Sequence, residues 1–366
     1  MQHSFTKEIM NILENNFGKL ANDIFQKSEL LKYLNRKTVS AHRGSKARSS
    51  FANLYAIYVL VDDYLAKKFD KKGNYSNYKG AVFTSLKSKM NDLPFGEKLQ
   101  NHALNHRLNK EFEAFYADAE HIPILRDSKT KRYWINENLL KVKHGRKTFN
   151  IAKSIKEIVE AYIKTKQKAF NSFLETCEQL KTIGQAEPEK VSDFILSLLE
   201  PNVDARTFEI VSYSILKFYY AEQSIFWGFE IDKLEKENLK LYKTGRTNAN
   251  DGGIDFVMKP LGRFFQVTET TNVKKYFLDI DKIERYPITF VIKSELSEEQ
   301  LKKMLKEGAE AQFAIKAIVK KYMDAIEELI NLPKIKSIFK NLLKEGKGNE
   351  VLEEIILQSR IEFNIE

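Results

Sequence analysis

The chain has 366 residues, 43% of them hydrophobic and 30% charged, which predicts a globular protein with two domains or one domain carrying large insertions. Its net charge of +10 favours a polyanionic partner. Cys177 is the single cysteine, so an internal disulfide and every thiolate-rich zinc site are excluded. Oxygen ligands or histidines would have to hold any metal.

The N-terminal segment does not resemble a targeting signal. Residues 1–16 mix charged and apolar residues at helical spacing, without the apolar core and small-residue cleavage site of a secretory signal. The most apolar stretch, residues 54–65, is shorter than the roughly 20 residues needed to span a bilayer and contains Asp62 and Asp63. The sequence therefore predicts a soluble, cytoplasmic protein with no membrane partner.

Basic residues are concentrated in the front of the chain. Residues 1–150 contain 27 Lys and Arg against 15 Asp and Glu, a balance of +12, whereas residues 151–366 contain 33 against 35, a balance of −2. A phosphate backbone attracts such a basic surface through electrostatic steering and counterion release. We therefore predict a basic DNA-recognition domain in residues 1–150, with a general compositional bias toward lysine as the alternative explanation of the raw count.

The front region has a helical pattern interrupted by a basic loop. Apolar positions three and four apart in residues 5–35 predict one or two amphipathic helices, and the apolar run 51–65 predicts a buried helix capped by Ser49 or Ser50. The segment between them is basic and rich in small polar residues. Its candidates for phosphate contact are Arg36, Lys37, Arg43, Lys46 and Arg48, and a solvated surface loop is the alternative.

Further along, residues 81–120 are predicted to be helical, and residues 129–149 alternate around Gly145 as in a hairpin. Helices followed by a hairpin are typical of a winged-helix module. His102 and His106 have the spacing of a shared metal site, but a plain helical surface is preferred because no third ligand is near. A long helix over 151–180 and a linker over 183–189 divide the chain into regions 1–150, 151–190 and 191–366.

The rear region alternates between helical and strand patterns. Residues 204–220 predict a helix with Glu209 in its first turns, and residues 239–244, 254–258, 263–270 and 288–292 predict strands. A tight turn at 259–262 joins two of these strands and brings Asp255 close to Gln266. Alternation places Gln266 and Thr268 on one face, with Glu269 on the other. Residues 295–345 are predicted to be helical, interrupted by Pro333.

This order of elements resembles the PD-(D/E)XK nuclease superfamily over residues 204–293. The resemblance rests on a helical Glu, then Gly-Gly-Ile-Asp at a strand, then a hairpin partner with Gln-Val-Thr. It is most similar to the Mrr-type subgroup, in which Gln commonly replaces the second acidic residue. The resemblance implies a core of mixed β-sheet flanked by helices. With the helical patterns on either side, the predicted fold is α+β, with a mainly helical N-terminal domain before this core and a helical C-terminal tail after it.

The resemblance implies Mg²⁺-dependent hydrolysis of DNA. Carboxylate, side-chain amide and backbone carbonyl oxygens are hard ligands suited to Mg²⁺, which lowers the pKa of a bound water and neutralises charge on the scissile phosphate. The implied metal ligands are Asp255, Gln266 and Glu209, and the implied catalytic residues are Glu209, Asp255, Gln266, Thr268 and Glu269. Candidates for DNA contact near the cut are Arg246, Asn248 and Asn250, with a solvated loop as the alternative.

One position departs from the family pattern, which usually has lysine where this chain has Thr268. Threonine carries no charge with which to orient and activate the attacking water. Two replacements are conceivable: Glu269, if a β-bulge turns it inward, or a lysine from a neighbouring element, with Lys243, Lys274 and Lys275 as candidates.

The leading hypothesis is a type II restriction endonuclease that cuts specific double-stranded DNA. Matching half-sites imply a homodimer, and a restriction system implies a cognate DNA methyltransferase. The alternatives are a modification-dependent (type IV) endonuclease, which a base-sized pocket in the front region would favour, and a catalytically inactive DNA-binding protein. No phosphate-binding loop of the Gly-x-x-x-x-Gly-Lys-Ser/Thr kind occurs, which argues against a motor in this chain.

Overall fold

The computed structural model describes residues 2–39, 41, 47–71, 75–97, 99–184, 187–201, 203, 205–244, 254–269 and 272–363. The protein is α+β, as the sequence predicts. It divides into two compact units, unit 1 with residues 1–174 and 363–366 and unit 2 with residues 175–362. The division falls inside the long helix of the connecting region. No described helix combines the length and the apolar character that a membrane span requires.

Unit 1 is mainly helical. Its helices are α1 (Thr6–Phe17), α2 (Ala21–Lys27), α3 (Glu29–Lys37), α4 (Ala47–Ala66), α5 (Phe83–Asp92), α6 (Leu108–Phe115), α7 (Glu137–Leu140) and α8 (Ala152–Ile183), whose last turns belong to unit 2. Its strands are β1 (Ala81–Val82), β2 (Ile124–Asp127), β3 (Arg132–Ile135), β4 (Lys141–His144) and β5 (Lys147–Asn150). Strands β1, β3 and β2 form one antiparallel sheet, and β4 and β5 form a hairpin.

Helix α4 lies in the core of unit 1. Leu54, Tyr55 and Tyr64 are fully buried, and the Phe51 ring lies 5.2 Å from that of Tyr162 in α8. This burial accounts for the continuous apolar run that predicted the helix. The predicted cap is wrong, because α4 begins at Ala47 and therefore has Ser49 and Ser50 inside its first turns.

Two other predictions for unit 1 need adjustment. Residues 81–120 are not continuously helical, since they include the short strand β1, and non-helical residues follow α5 and α6; the helical turn at Ala103–Arg107, which leads into α6, is a π-helix. Residues 132–135 form β3, which pairs antiparallel with β2, whereas residues 141–150 form the predicted hairpin around Gly145, β4 with β5. The turn of the second pair contains Gly145 at a φ of 57°, a conformation that glycine adopts without steric cost. The winged-helix arrangement stays a prediction.

Unit 2 is built around a five-stranded mixed sheet. Its helices are α9 (Pro188–Ser197), α10 (Ala205–Ala221), α11 (Val273–Lys282), α12 (Glu298–Gln312), α13 (Lys316–Asp324), α14 (Leu332–Lys344) and α15 (Gly348–Phe363). Its strands are β6 (Ser224–Trp227), β7 (Glu235–Asn238), β8 (Lys240–Lys243), β9 (Phe256–Lys259), β10 (Arg263–Thr268), β11 (Ile288–Ile292) and β12 (Ile326–Ile330). The sheet order is β12-β11-β10-β9-β8, while β6 and β7 form a separate hairpin.

Helices cover both faces of this sheet. Strands β8, β9 and β10 are antiparallel, and β10, β11 and β12 are parallel. Helix α10 packs on one face, where the Tyr213 and Phe256 rings lie 5.2 Å apart. Helix α11 packs on the other, where Tyr276 lies 4.8 Å from Phe290. The sheet therefore has an α10 face and an α11 face, and the face of each side chain decides which residues meet.

Two elements of unit 2 were not predicted from the sequence: strand β12 and the β6–β7 hairpin. Residues 326–330 were predicted to be helical but form β12, which pairs in parallel with β11. The five residues Ile-Glu-Glu-Leu-Ile are too few for periodicity to distinguish a strand from a helix, and pairing with the edge of β11 decided their conformation. In addition, Pro333 does not interrupt a helix; it lies in the first turn of α14, where its missing N–H costs nothing.

Candidate active site

Asp255 lies at a β-bulge where β9 begins. Its N–H donates to the carbonyl of Phe265 at 3.1 Å, although the register partner of Phe265 is Phe256. Two residues of one strand thus oppose one residue of the other, which defines a bulge and redirects a side chain. Ile254 packs on the α11 face and Phe256 against Tyr213 on the α10 face. Alternation from Ile254 therefore turns Asp255 toward the α10 face.

Gln266 and Thr268 point to the opposite face. The register partner of Gln266 is Phe290, which contacts Tyr276 of α11, and the Thr268 hydroxyl is hydrogen-bonded to Tyr276. Asp255 therefore lies next to Gln266 along the strands, as predicted, but the two side chains point to opposite faces and do not form the shared metal site that the resemblance implied. The side-chain carbonyl Oε1 of Gln266 is buried without a hydrogen-bond partner among the described residues.

Glu209 reaches the site from α10. Its side chain is buried and paired with two cations: Arg206, one turn earlier in the helix, and Lys243 at the end of β8, whose Nζ lies 3.2 Å from Glu209 Oε1. The Nε of Arg206 also lies 3.2 Å from Oε1 of Glu362. Of the lysines that the sequence offered as replacements, Lys243 contacts this site, whereas Lys274 and Lys275 are exposed on α11.

Charge is unevenly compensated in this cluster. Burial is the main cause that raises the pKa of Asp255, and the neighbouring charge of Glu209 raises it further, to about 7. The Val267 N–H, which donates to Asp255 Oδ2 at 2.8 Å, acts in the opposite direction and lowers this pKa. Burial alone would lower the pKa of Arg206, but the charges of Glu209, Glu362 and Asp255 raise it. Among the described residues no cation is paired directly with the Asp255 carboxylate, although the charges of Arg206 and Lys243 lower its pKa, while the Arg206 guanidinium stays charged.

Lys293 adds a buried cation that was not selected from the sequence. It follows β11 directly, its side chain is 4% exposed, and its Nζ lies 2.7 Å from Glu269 Oε1. The same Nζ donates to the carbonyl of Val203 and lies 6.0 Å from the Phe208 ring, at the start of α10. The available signal was a lysine directly after a strand in which four of five residues are apolar. Its relation to Glu269 depended on the β10–β11 register.

The described donor atoms suit Mg²⁺ only in part. Asp255 and Glu209 supply carboxylates on the α10 face, which matches the one or two carboxylates that Mg²⁺ uses beside substrate phosphate and water. Gln266 lies on the other face, and Glu269 is already paired with Lys293. Among the described residues, no group of three or more His, Cys, Asp and Glu side chains is arranged to hold a metal. The two-carboxylate arrangement is thus the one that fits.

The predicted DNA contacts are described only in part. Arg43, Lys46, Arg246, Asn248 and Asn250 lie outside the described residues, and of Arg48 only its place in α4 is described. Arg36 is exposed, with its guanidinium carbon 4.1 Å from the centre of the Phe115 ring. Lys37 is buried, with Nζ 2.7 Å from Glu111 Oε1. Arg36 is accessible to a phosphate, whereas Lys37 stabilises unit 1.

The two helical histidines border an open groove in unit 1. The His102 and His106 rings lie 6.0 Å apart at the π-helical turn, and the groove has a volume of about 590 Å³. Its lining residues are His102, His106, Arg107, Lys110, Glu111 and Ala114. Arg107 and Lys110 are exposed along this groove, which is open to solvent rather than an enclosed pocket.

Comparison of the whole chain with protein-family models, with curated proteins and with solved structures gave no match.

Proposed function

We propose that unit 2 is a Mg²⁺-dependent endonuclease that hydrolyses DNA phosphodiester bonds, and that the chain acts as a type II restriction endonuclease. The observation that carries the proposal is the bulge, which turns Asp255 to the face where Glu209, Lys243 and Lys293 lie. Buried carboxylates beside cations, at one end of a mixed sheet, suit phosphoryl chemistry. The family resemblance of the Gly-Gly-Ile-Asp and Gln-Val-Thr segments supports the same activity.

In this proposal Asp255 and Glu209 hold the metal. Bound Mg²⁺ supplies an activated water and neutralises charge on the scissile phosphate. The raised pKa of Asp255 supports a cation at this position, since a carboxylate that is costly to ionise alone is stabilised in its charged form by a nearby divalent ion. Arg206 and Lys243 pair with Glu209 and hold its carboxylate in position between α10 and β8.

We assign the role of the missing family lysine to Lys293. Thr268 occupies the motif position but is bonded to Tyr276 on the α11 face. Lys293 follows Ile292, the register partner of Thr268, and alternation turns it to the α10 face beside Glu269. Buried, it supplies a positive charge whose field is weakly screened by water, which threonine does not.

A catalytically inactive DNA-binding protein is the second candidate, and one observation favours it. Both carboxylate oxygens of Glu209 are already engaged, one by Arg206 and the other by Lys243. A carboxylate that is already paired with two cationic side chains is stabilised less by a bound metal ion than an unpaired one. Both candidates share the basic region 1–150 as the proposed DNA-recognition surface, and the homodimer and cognate methyltransferase remain proposals that follow from restriction activity.

The test is cleavage of unmethylated phage DNA and of its methylated counterpart by the purified chain with Mg²⁺. We expect discrete fragments from unmethylated DNA and at least about a 100-fold loss of rate in Asp255→Ala and Glu209→Gln, as for removal of groups that act on the transition state. Cutting restricted to methylated DNA would identify a type IV enzyme. Tight binding without cutting would identify the inactive candidate.

Matched variants test whether cleavage depends on Lys293 or on Thr268, which occupies the position of the family lysine. Lys293→Met should lower the cleavage rate by about 100-fold or more, in the range of a lost general-acid–base or charge-stabilising group. Lys274→Met, on the exposed surface of α11, and Thr268→Val, on the far face of the sheet, should retain the rate. Loss of cleavage in Thr268→Val with an intact fold would show that Thr268, and not Lys293, has the role of the family lysine.

A further inference from the structure

The β6–β7 hairpin presents an apolar surface to water. Residues 226–236 are exposed without interruption. The large apolar side chains among them are Phe226 (68% exposed), Trp227 (40%), Phe229 (100%), Ile231 (87%) and Leu234 (45%). Single exposed apolar residues are common, but a contiguous group of this size marks a surface that another molecule covers.

The hairpin is held in place at its base and along its length. Leu239 N–H donates to the Gln223 carbonyl at 2.8 Å, and the Asn238 side chain donates to the Ala221 carbonyl at 3.2 Å. Between the strands, Trp227 Nε1 donates to Glu237 Oε2 at 3.0 Å. These bonds connect the hairpin to the end of α10 and to the start of β8, so its apolar surface projects from a defined position on unit 2.

The two strands of the hairpin differ in how their outer edges are protected. Strand β7 reads Glu-Lys-Glu-Asn, and charged side chains on an edge discourage pairing with another strand. Strand β6 reads Ser-Ile-Phe-Trp, with no charge and no proline. In the described structure β6 pairs with β7 alone. Its outer edge is therefore an open, apolar template for a further strand.

Charge and area identify the occupant of this edge. Residues 224–238 contain four acidic residues and two lysines, a balance of −2, which disfavours nucleic acid and anionic lipid, whereas β6 itself carries no charge that would repel a second β6. The exposed surface of the apolar side chains Phe226, Trp227, Phe229, Ile231 and Leu234 amounts to on the order of 500 Å². Two copies together would bury about 1,000 Å², the lower limit of a specific interface.

We propose that a second copy of this chain docks against β6, edge to edge. A two-fold axis would then relate two antiparallel β6 strands in a four-stranded sheet of order β7-β6-β6-β7. In such an isologous contact each copy offers the same patch, and Phe226 of one copy faces Phe226 of the other near the axis. The inference rests on the hairpin alone and stands independently of nuclease activity.

Sedimentation equilibrium of the full chain over a wide concentration range tests the proposal. We expect the native chain to be dimeric and Phe226→Lys to raise the dissociation constant by at least about 30-fold, as for loss of a central interface contact. Leu278→Lys is the matched control, because Leu278 on α11 is 61% exposed and lies outside the hairpin. A monomeric native chain, or a dimer that Phe226→Lys leaves intact, would overturn the proposal.

A cross-link tests the register independently of affinity. The native Cys177 is buried, so Phe226→Cys places a single accessible thiol on the hairpin. Treatment with diamide should join two copies through a disulfide between the two introduced thiols, since directly opposed residues of antiparallel strands lie about 5 Å apart. Leu278→Cys should give no covalent dimer. Equal cross-linking of both variants, or of neither, would contradict the edge-to-edge arrangement.

Discussion

At the scale of single residues, the unusual feature is a carboxyl group held where ionisation is costly. Asp255 is buried beside Glu209, and both features raise its pKa, to about 7, above that of a free aspartate. A group whose pKa is raised by folding contributes stability to the folded protein. This contribution is fully present below the unfolded-state pKa of about 3.9 and is lost as the pH rises through the folded-state pKa. The folded protein should therefore lose stability between about pH 4 and about pH 8 at this site.

Asp255→Asn should remove this pH dependence. With each pKa unit corresponding to about 1.4 kcal/mol, we expect the variant to be more stable than the native chain at pH 8 by on the order of 2–4 kcal/mol, and about equally stable at pH 4. Urea unfolding at several pH values measures the difference. Asp324→Asn, an exposed carboxylate on α13, should behave as the native chain does. Identical pH profiles for all three proteins would show that Asp255 ionises normally.

Gln266 makes a second prediction at this scale, because its buried Oε1 lacks a partner among the described residues. Replacing an unsatisfied buried amide by an apolar group of similar size removes a desolvation cost, so Gln266→Leu should raise the free energy of unfolding by about 1 kcal/mol. Thr268→Val, which loses the hydrogen bond to Tyr276, should lower it by about 1 kcal/mol. Denaturant titration distinguishes the two. A strong loss in Gln266→Leu would mean that the amide is satisfied.

At the scale of elements, β12 is attached to the sheet by Arg263 as well as by its backbone pairing. Arg263 Nε donates to Thr289 Oγ1 at 2.9 Å, and Nη2 pairs with Glu328 of β12. Burial alone would raise the pKa of Glu328, but Lys334 and Arg263 hold it below its ordinary value. This depressed pKa stabilises the folded protein above the unfolded-state pKa, and the contribution is lost as pH falls through the folded-state value.

Arg263→Ala should therefore destabilise unit 2. We expect a loss of about 2–3 kcal/mol at pH 7, since Glu328 is left partly buried with Lys334 as its remaining cation, and a smaller loss at acidic pH, as the contribution of the ionised Glu328 is lost. Arg285→Ala removes an exposed guanidinium 3.7 Å from Asp281 and should cost less than about 0.5 kcal/mol. Thermal unfolding at both pH values checks the expectation. Equal losses for the two variants would contradict it.

The elements of the candidate site were predictable to different degrees. The helix carrying Glu209, the strand that follows Asp255 and the strand carrying Gln266 were predicted, because each has a clear apolar period, although β9 begins one residue after Asp255. The β-bulge was not, since it is defined by a hydrogen bond from Asp255 to another strand. Strand β12 was missed for a related reason: its pairing with β11 depends on residues about forty positions away.

At the scale of the whole molecule, the charge asymmetry predicts how DNA affinity responds to salt. The +12 balance of residues 1–150 should make binding depend on counterion release. Between 50 and 200 mM salt we expect the dissociation constant for a DNA duplex to rise by at least about 100-fold. Fluorescence anisotropy measures this change. A constant affinity across that range would remove the electrostatic argument for a recognition surface in residues 1–150.

By itself, the sequence determined the α+β class, the uneven charge and the residue types of the candidate site. These properties follow from composition and from periods that lie within one segment. The tertiary structure decided which of those residues meet. It turned Asp255 toward Glu209 and away from Gln266, and it brought Lys293 to Glu269 across 24 residues of sequence. The physical reason is that strand register and bulges decide to which face of the sheet a side chain points and which residue it contacts. Register and bulges are in turn set by hydrogen bonds between segments that are distant in sequence.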